Sequence, residues 1–449
     1  MTFTSRPHDS SRSRHAVAGA MLGSLLLFGA PAVFAGNTFI LPTGSGDKSG
    51  KDIKNAMPAS GLAAALASAK GGDTVSIGSG TYNSGFSIKG GGSSPNSMVT
   101  VTGIDSGSGL PVFKNTFKPG DTKGPGAITI EANTEFLVLK DIKINSYQQG
   151  VKFKGGHNAI LVENVDVDIT RDAFWIDGAG KSHDLVFKDC DVTMAVKRGF
   201  RILGGNTKLQ FINCSADMGG KENAKEPFAE GFHVLGGEGG VKDSDITFTG
   251  CRASNAYNDA GPDKYWNADG FCAEQATENI TFIDCLSYSN TDGGWDLKTT
   301  GIKLINCVGI DNKRNFRFWK DVSFENCLSA FTHDRGNRNH EVGFWGKGGG
   351  TFEFTNCTFW ETPRAPISVE DSSAEKPSKI ILKNCLIEGK LPESHEFVTV
   401  TDSGSVGGAG TFKLKAPSKD WRGGDQDFDS TTNKDKGYHY IKPGAQAAK

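Results

Sequence analysis

Four carboxylates fall close together in this chain of 449 residues: Asp269, Glu274, Asp292 and Asp296. Crowded carboxylates repel one another, and the repulsion must be offset by a bound cation or by raised pKa values. Carboxylate oxygens are the hard ligands that Ca2+ prefers, so a Ca2+ ion is the expected cofactor, held by Asp269, Asp292, Asp296 and Glu274. Arg317 follows one repeat after Asp296, and Trp175, Trp319 and Trp345 flank the region. Aromatic faces beside charged groups suit sugar rings, which offer apolar faces and polar edges. A single outward charge on a β-surface ordinarily does no more than solvate it; the crowding of four is what points to chemistry. His233 reads as a substrate contact or a surface histidine rather than a zinc ligand, and Cys272 beside it does not complete a metal site.

Two repeats must position these side chains. The first is an aliphatic or Phe residue, any residue, Asn or Asp (Gly once), then Cys, as in Phe187-Lys188-Asp189-Cys190 and Phe282-Ile283-Asp284-Cys285. Its cysteines are Cys190, Cys214, Cys251, Cys285, Cys307, Cys327, Cys357 and Cys385, spaced by 24, 37, 34, 22, 20, 30 and 28 residues. One solenoid coil with loops of varying length explains that range. The second repeat falls between these copies: any residue, a small residue, an aromatic or apolar residue, any residue, an apolar residue. Asp172-Ala173-Phe174-Trp175-Ile176, Glu230-Gly231-Phe232-His233-Val234 and Asp269-Gly270-Phe271-Cys272-Ala273 are examples.

Both repeats alternate inward apolar with outward variable residues, the period of a β-strand. Short strands repeated in this way cannot each bury a face alone, but stacked coils can. The expected fold is all-β, a right-handed parallel β-helix (solenoid) with a short N-terminal capping helix at Ser60 to Lys70. Stacking puts equivalent residues ~4.8 Å apart. The repeat cysteines then form an inward ladder of free thiols, and the preceding Asn and Asp residues a turn ladder. The outward residues form rows along a shallow groove. One row reads Lys152, Trp175, Arg201, His233, Cys272, Asp296, Arg317 and Trp345. A second, two residues further along each strand, includes Glu274, Lys298 and Trp319, and a third holds Asp172, Arg198, Glu230, Asp269, Gly293 and Arg314.

Residues 1–35 read as a signal peptide, with Arg6, Arg12 and Arg14 before an apolar run and Val33-Phe34-Ala35 as the cleavage site. Residues 36–409 are the β-helix, and 410–449 a polar C-terminal tail. The mature protein is expected to be secreted, periplasmic or extracellular, without a membrane anchor. Removing three arginines and Asp9 from 49 basic and 51 acidic residues leaves 46 against 50. This mild acidity excludes a nucleic-acid-binding strip. A monomer is expected.

The stretch Asn267-Ala268-Asp269-Gly270-Phe271, with Asn290-Thr291-Asp292-Gly293-Gly294-Trp295-Asp296-Leu297, resembles the family 9 pectate lyases, with Asn315-Phe316-Arg317-Phe318 at the place of that family's catalytic strand. The resemblance is close over roughly residues 265–320 and looser over about 140–390. It implies a β-helix that binds Ca2+ through four aspartates and uses a lysine base. Asp269, Asp292 and Asp296 match three of the aspartates. Gly293 stands at the fourth, for which Glu274 is the nearest substitute, and Arg317 stands at the lysine. The implied reaction is calcium-assisted β-elimination on an acidic, uronate-containing polysaccharide, with Arg317 as base and Lys298 as the alternative. Arg201, His233, Arg314, Trp319 and Trp345 would contact the sugars. Two other readings stay open: a glycoside hydrolase using a pair among Asp269, Asp292 and Asp296, since Asn290-Thr291-Asp292-Gly293 also resembles a polygalacturonase motif, and a polysaccharide-binding protein without activity.

Overall fold

Alternating apolar residues in both repeats turn inward and stack, coil upon coil, into a right-handed parallel β-helix. The computed structural model describes residues 36–408, apart from 122, 179, 221–227, 260–265, 275, 334–339, 361 and 363. The expected leader at 1–35 lies outside the described residues, as does the expected tail at 410–449. Among the described residues, no helix is long and apolar enough to cross a membrane.

The second repeat forms one face of the solenoid. Its strands are β1 (Gln149–Phe153), β2 (Asn158–Asp177), β3 (Asp191–Leu203), β4 (Glu230–Val234), β5 (Asp269–Ala273), β6 (Gly293–Leu297), β7 (Arg314–Phe318) and β8 (Val342–Lys347). Each pairs in parallel with the next. The third residue of each copy enters the core and builds a stack. Phe174, Phe200, Phe232, Phe271, Trp295 and Phe316 follow one another with ring centroids 4.5–5.2 Å apart. A second stack of Phe187, Phe211, Phe248 and Phe282 comes from the first repeat and meets the first stack edge-on. Aromatic pairs add about 0.5–1.5 kcal/mol each beyond the area they bury, so the stacks also fix register.

The small second residue has a steric cause. A Cβ on Gly270 would lie 2.1 Å from Ser287 Oγ and 2.8 Å from the Gly294 carbonyl oxygen. The pairing between β4 and β5 accordingly joins first to first and third to third residues and skips the second.

The eight repeat cysteines are buried free thiols inside the helix, as expected. The residue before each has a positive φ, between 50° and 64°. Asn and Asp tolerate that left-handed turn, and here they also bond one another: Asn306 Nδ2 donates to Asp284 Oδ1 at 2.9 Å, and Asn384 Nδ2 to Asn356 Oδ1 at 2.8 Å. The capping helix α1 covers Leu62–Ser68 and buries Leu62, Ala65 and Leu66 against the first coils.

Candidate functional site

Register carries the outward side chains into rows. Lys152, Trp175, Arg201, His233, Cys272, Asp296, Arg317 and Trp345 pair in that order from β1 to β8. Asp172, Arg198, Glu230 and Asp269 form the row beside them. The groove is deeper than its expected shallow form. His233 is 4% exposed, Cys272 and Asp296 3% each, and Trp345 5%, although all four point away from the helix core.

An internal ladder of amides sets the central carboxylates. Asn290 Nδ2 donates to Asn312 Oδ1 at 2.9 Å, Asn312 Nδ2 to Asn315 Oδ1 at 3.0 Å, and Asn315 Nδ2 to Ser329 Oγ at 3.0 Å. The turn before β6 is thereby fixed, and Asp292 with it. Asp292 Oδ1 accepts from Arg314 Nη1 at 2.9 Å, and its Oδ2 from Arg317 Nη1 at 3.0 Å. The same Arg317 nitrogen donates to Asp296 Oδ2 at 3.0 Å, and Trp319 Nε1 donates to Asp296 Oδ1 at 2.8 Å. Asp269 Oδ1 accepts from the Gly293 N–H at 2.6 Å. Glycine is what permits that approach, because a Cβ at 293 would stand 2.7 Å from the same oxygen. Lys298 Nζ donates to Glu274 Oε1 at 2.7 Å and lies 4.0 Å from Asp296.

The structure therefore brings Asp269, Asp292, Asp296, Arg314, Arg317 and Trp319 together, with Glu274 and Lys298 at their edge. Burial, then the neighbouring Asp296, Asp292 and Glu230, pushes the Asp269 carboxyl well above the carboxylate range. Burial also raises Asp296, against the pull of Arg317 and Lys298. Burial alone would lower Lys298, but Asp296 and Glu274 outweigh it and push the ammonium up. Lys298 holds its proton, and Arg317 sits between two carboxylates that favour its charged form. Both expected bases are thus cast as charge donors rather than proton acceptors.

This donor set does not fit a calcium ion as folded. All four oxygens of Asp292 and Asp296 already accept hydrogen bonds from Arg314, Arg317 and Trp319. The fourth position is Gly293, whose N–H donates to Asp269, and Glu274 is held by Lys298. Guanidinium groups occupy the place that a divalent ion would need.

A second cluster lies one to two rungs away. Glu230 Oε2 is 2.6 Å from His233 Nδ1, and Arg198 Nε is 2.8 Å from Glu230 Oε2 and 2.6 Å from the same Nδ1. Burial would raise Glu230, but His233 and Arg198 override it and hold the carboxyl at about 2. Burial lowers His233 despite Glu230, so the ring is neutral at pH 7. Cys272 lies close enough that one ligand-capable atom from each of Glu230, His233 and Cys272 falls within 4.8 Å of the others. Burial and the surrounding carboxylates push the Cys272 thiol up, which keeps it protonated. Glu230 and Arg198 were not singled out from the sequence as site residues. The signal for them was the Glu230-Gly231-Phe232-His233 spacing, which places a first-position and a fourth-position residue on one strand.

Towards the N-terminal end of the groove, Arg201 Cζ lies 4.9 Å and Lys152 Nζ 3.9 Å from the Trp175 ring centroid. At the other end, Trp319 and Trp345 meet edge-on at 5.2 Å, with Arg317 Cζ 5.1 Å and 5.3 Å from their centroids.

No family model matches the chain, and no curated protein matches it in sequence. Solved structures do resemble it. A complex of XylC with xylose superposes with a TM-score of 0.52 at 8% identity, covering 84% of this chain and 87% of that one. The pectate lyase Pel9A matches with a TM-score of 0.41 at 12% identity over 90% and 88% of the two chains. An alginate lyase from Paenibacillus sp. str. FPU-7 matches with a TM-score of 0.42 at 14% identity over 70% and 97%. At 8% identity the likeness to the XylC complex speaks to the fold alone, the parallel β-helix.

Proposed function

We propose that this protein binds an acidic, uronate-containing polysaccharide lengthwise in the groove and cleaves it by β-elimination. The observation that carries this reading is one row of a rigid sheet that sets cations and tryptophans at rung spacing. Lys152, Trp175 and Arg201 stand together at one end of it and Arg317 and Trp345 at the other, with His233, Cys272 and Asp296 between, and Arg314, Lys298 and Trp319 stand beside Arg317 and Trp345. Tryptophan faces match the apolar faces of sugars, and guanidinium groups match their carboxylates in fork geometry. From β1 to β8 the row spans seven rungs, roughly 34 Å at ~4.8 Å each, enough for several sugars of a polymer.

A uronate resists loss of its C5 proton while its carboxylate is fully charged. A carboxylate set against a guanidinium in a water-poor groove has much of that charge neutralised, which acidifies the neighbouring C–H and stabilises the enolate-like intermediate. Arg314 and Arg317, already braced by Asp292 and Asp296, are preorganised cations of this kind. The reading therefore assigns charge neutralisation to arginine, with no step through calcium.

Incubation with a panel of pectate, alginate, glycosaminoglycan and bacterial exopolysaccharide tests it. Elimination produces an unsaturated uronate that absorbs at ~235 nm, and the rise should persist in a chelator because arginine supplies the charge. New reducing ends without that absorbance would replace elimination by hydrolysis. One observation favours this second reading: Asp269 is raised and, among the described residues, accepts no hydrogen bond from a cation, whereas Asp292 and Asp296 share Arg317, a split that suits an acid and its partner carboxylate.

A further inference from the structure

We propose that Arg201, braced on Trp175, is a carboxylate anchor that holds an acidic polymer at one end of the groove, well away from the Arg314–Arg317 cluster at the other. The inference rests on the reading that the groove binds an acidic polysaccharide and deepens it by naming where charge is recognised; elimination is not required for it.

The other cations named along the groove each have a carboxylate of their own. Lys152 Nζ lies 3.9 Å from Asp177, Arg198 Nε 2.8 Å from Glu230, and Lys298 Nζ 2.7 Å from Glu274. Arg314 and Arg317 hold Asp292 and Asp296. Among the described residues, the Arg201 side chain makes no ion pair and no hydrogen bond. The two carboxylates whose fields reach it, Asp172 and Glu230, are already engaged by Arg171 and Arg198. Burial lowers the Arg201 guanidinium below its ordinary value, and Arg198 and Arg171 add to that against Asp172 and Glu230. Arginine stays charged all the same, so a half-buried cation is left without a counter-charge of its own. A carboxylate carried by a ligand supplies one.

The guanidinium is already held in place for this task. Trp175 stands between Lys152 and Arg201 in the row, with Lys152 Nζ 3.9 Å and Arg201 Cζ 4.9 Å from its ring centroid. Holding the side chain against an indole before the ligand arrives lowers the ordering cost of binding. Of the guanidinium nitrogens only Nε is closed off from solvent, which leaves the two Nη groups to meet a ligand. Two parallel N–H donors match the two oxygens of a carboxylate. From Arg201 the row continues through His233, Cys272 and Asp296 to Arg317, four rungs or roughly 19 Å at ~4.8 Å each. None of the three residues between carries a positive charge at pH 7, since burial keeps the His233 ring neutral. Charge on the polymer is then read at two separated places, by carboxylates of sugars that are not neighbours.

Retardation in native gels that contain each polymer of the panel reads binding without any need for turnover. Wild-type protein is compared with Arg201→Ala, Arg201→Lys and, as a charge control, Lys208→Ala, an exposed lysine on a strand of the first repeat. Loss of a charge-assisted hydrogen-bonded contact should weaken binding about tenfold or more in Arg201→Ala. Arg201→Lys keeps the charge without the fork and should fall between, while Lys208→Ala should bind as the wild type does. Near-UV circular dichroism checks the fold, and Arg201→Gln, which keeps a polar side chain against Trp175, repeats the comparison if the alanine variant misfolds. Competition by size-fractionated fragments of the retarding polymer should strengthen in a step once a fragment spans both anchors, and the step should vanish without the arginine. Wild-type retardation of the folded Arg201→Ala or Arg201→Gln protein would overturn the inference and leave polymer binding standing, as would a wild type that shows no such step. A wild type that no polymer in the panel retards would overturn both.

Discussion

Arg317→Ala tests the proposal that arginine takes the place of a metal ion between Asp292 and Asp296. In the wild type, one Arg317 nitrogen joins Asp292 to Asp296, whose side chains are 0% and 4% exposed. Removing one partner of a buried ion pair costs about 3–5 kcal/mol, because the partner charge is left uncompensated. Arg314 still holds Asp292, so the lower end, about 3 kcal/mol, is expected. A chain of this length shifts by roughly 1–2 °C per kcal/mol, so Tm should fall by roughly 3–6 °C. The same substitution frees carboxylate oxygens on Asp292 and Asp296 beside Asp269, a set of hard donors. Calcium at about 100 times its dissociation constant would return about 2.7 kcal/mol, close to what was lost. Thermal unfolding with calcium and with chelator measures both effects. Calcium should raise Tm in Arg317→Ala and leave the wild type unchanged. A calcium-dependent rise of equal size in wild-type protein would refute the reasoning, since ion and arginine would then not compete for the same oxygens.

Two further predictions follow from burial. Glu230 is held at about 2, below its usual value, by His233 and Arg198 against the opposing effect of burial. A depressed carboxyl stabilises the fold above its unfolded pKa and loses that contribution as pH falls through the folded value, so Tm should drop between about pH 4.5 and 2, and the drop should shrink in Glu230→Gln. All nine cysteines are buried free thiols, so a thiol reagent such as dithionitrobenzoate should find none in native protein and nine after denaturation; several fast-reacting thiols in the native state would contradict the ladder.

Much of the architecture was legible because a solenoid writes its geometry into its repeats. The Phe-x-Asn-Cys copies forced an inward cysteine ladder, and the residue before each cysteine adopts the left-handed turn that Asn and Asp tolerate. The outward row from Lys152 to Trp345 could be read rung by rung, since in-register pairing makes equivalent positions neighbours. The candidate cluster was legible to the same extent, in that Asp269, Asp292, Asp296, Arg314 and Arg317 do converge. Their partners were not. A repeat says which rung a side chain stands on, but an arginine reaches across rungs, and its choice among several carboxylates depends on rotamer, desolvation and the competing donors nearby. Glu230 was passed over because a lone glutamate on a surface strand is ordinary until its neighbours and its burial are known.

The sequence by itself determined the solenoid, its register, the inward thiols and the rows that face the groove, because with a side-chain period of two a slip of one residue would turn the apolar set of a strand out of the core. Tertiary structure alone decided the electrostatics. It placed Arg317 between Asp292 and Asp296, set Gly293 N–H on Asp269, and locked His233 between Glu230 and Arg198 under cover from solvent. These pairings join residues far apart in the chain, and their strength depends on how much water the groove excludes, which no local pattern of residues records.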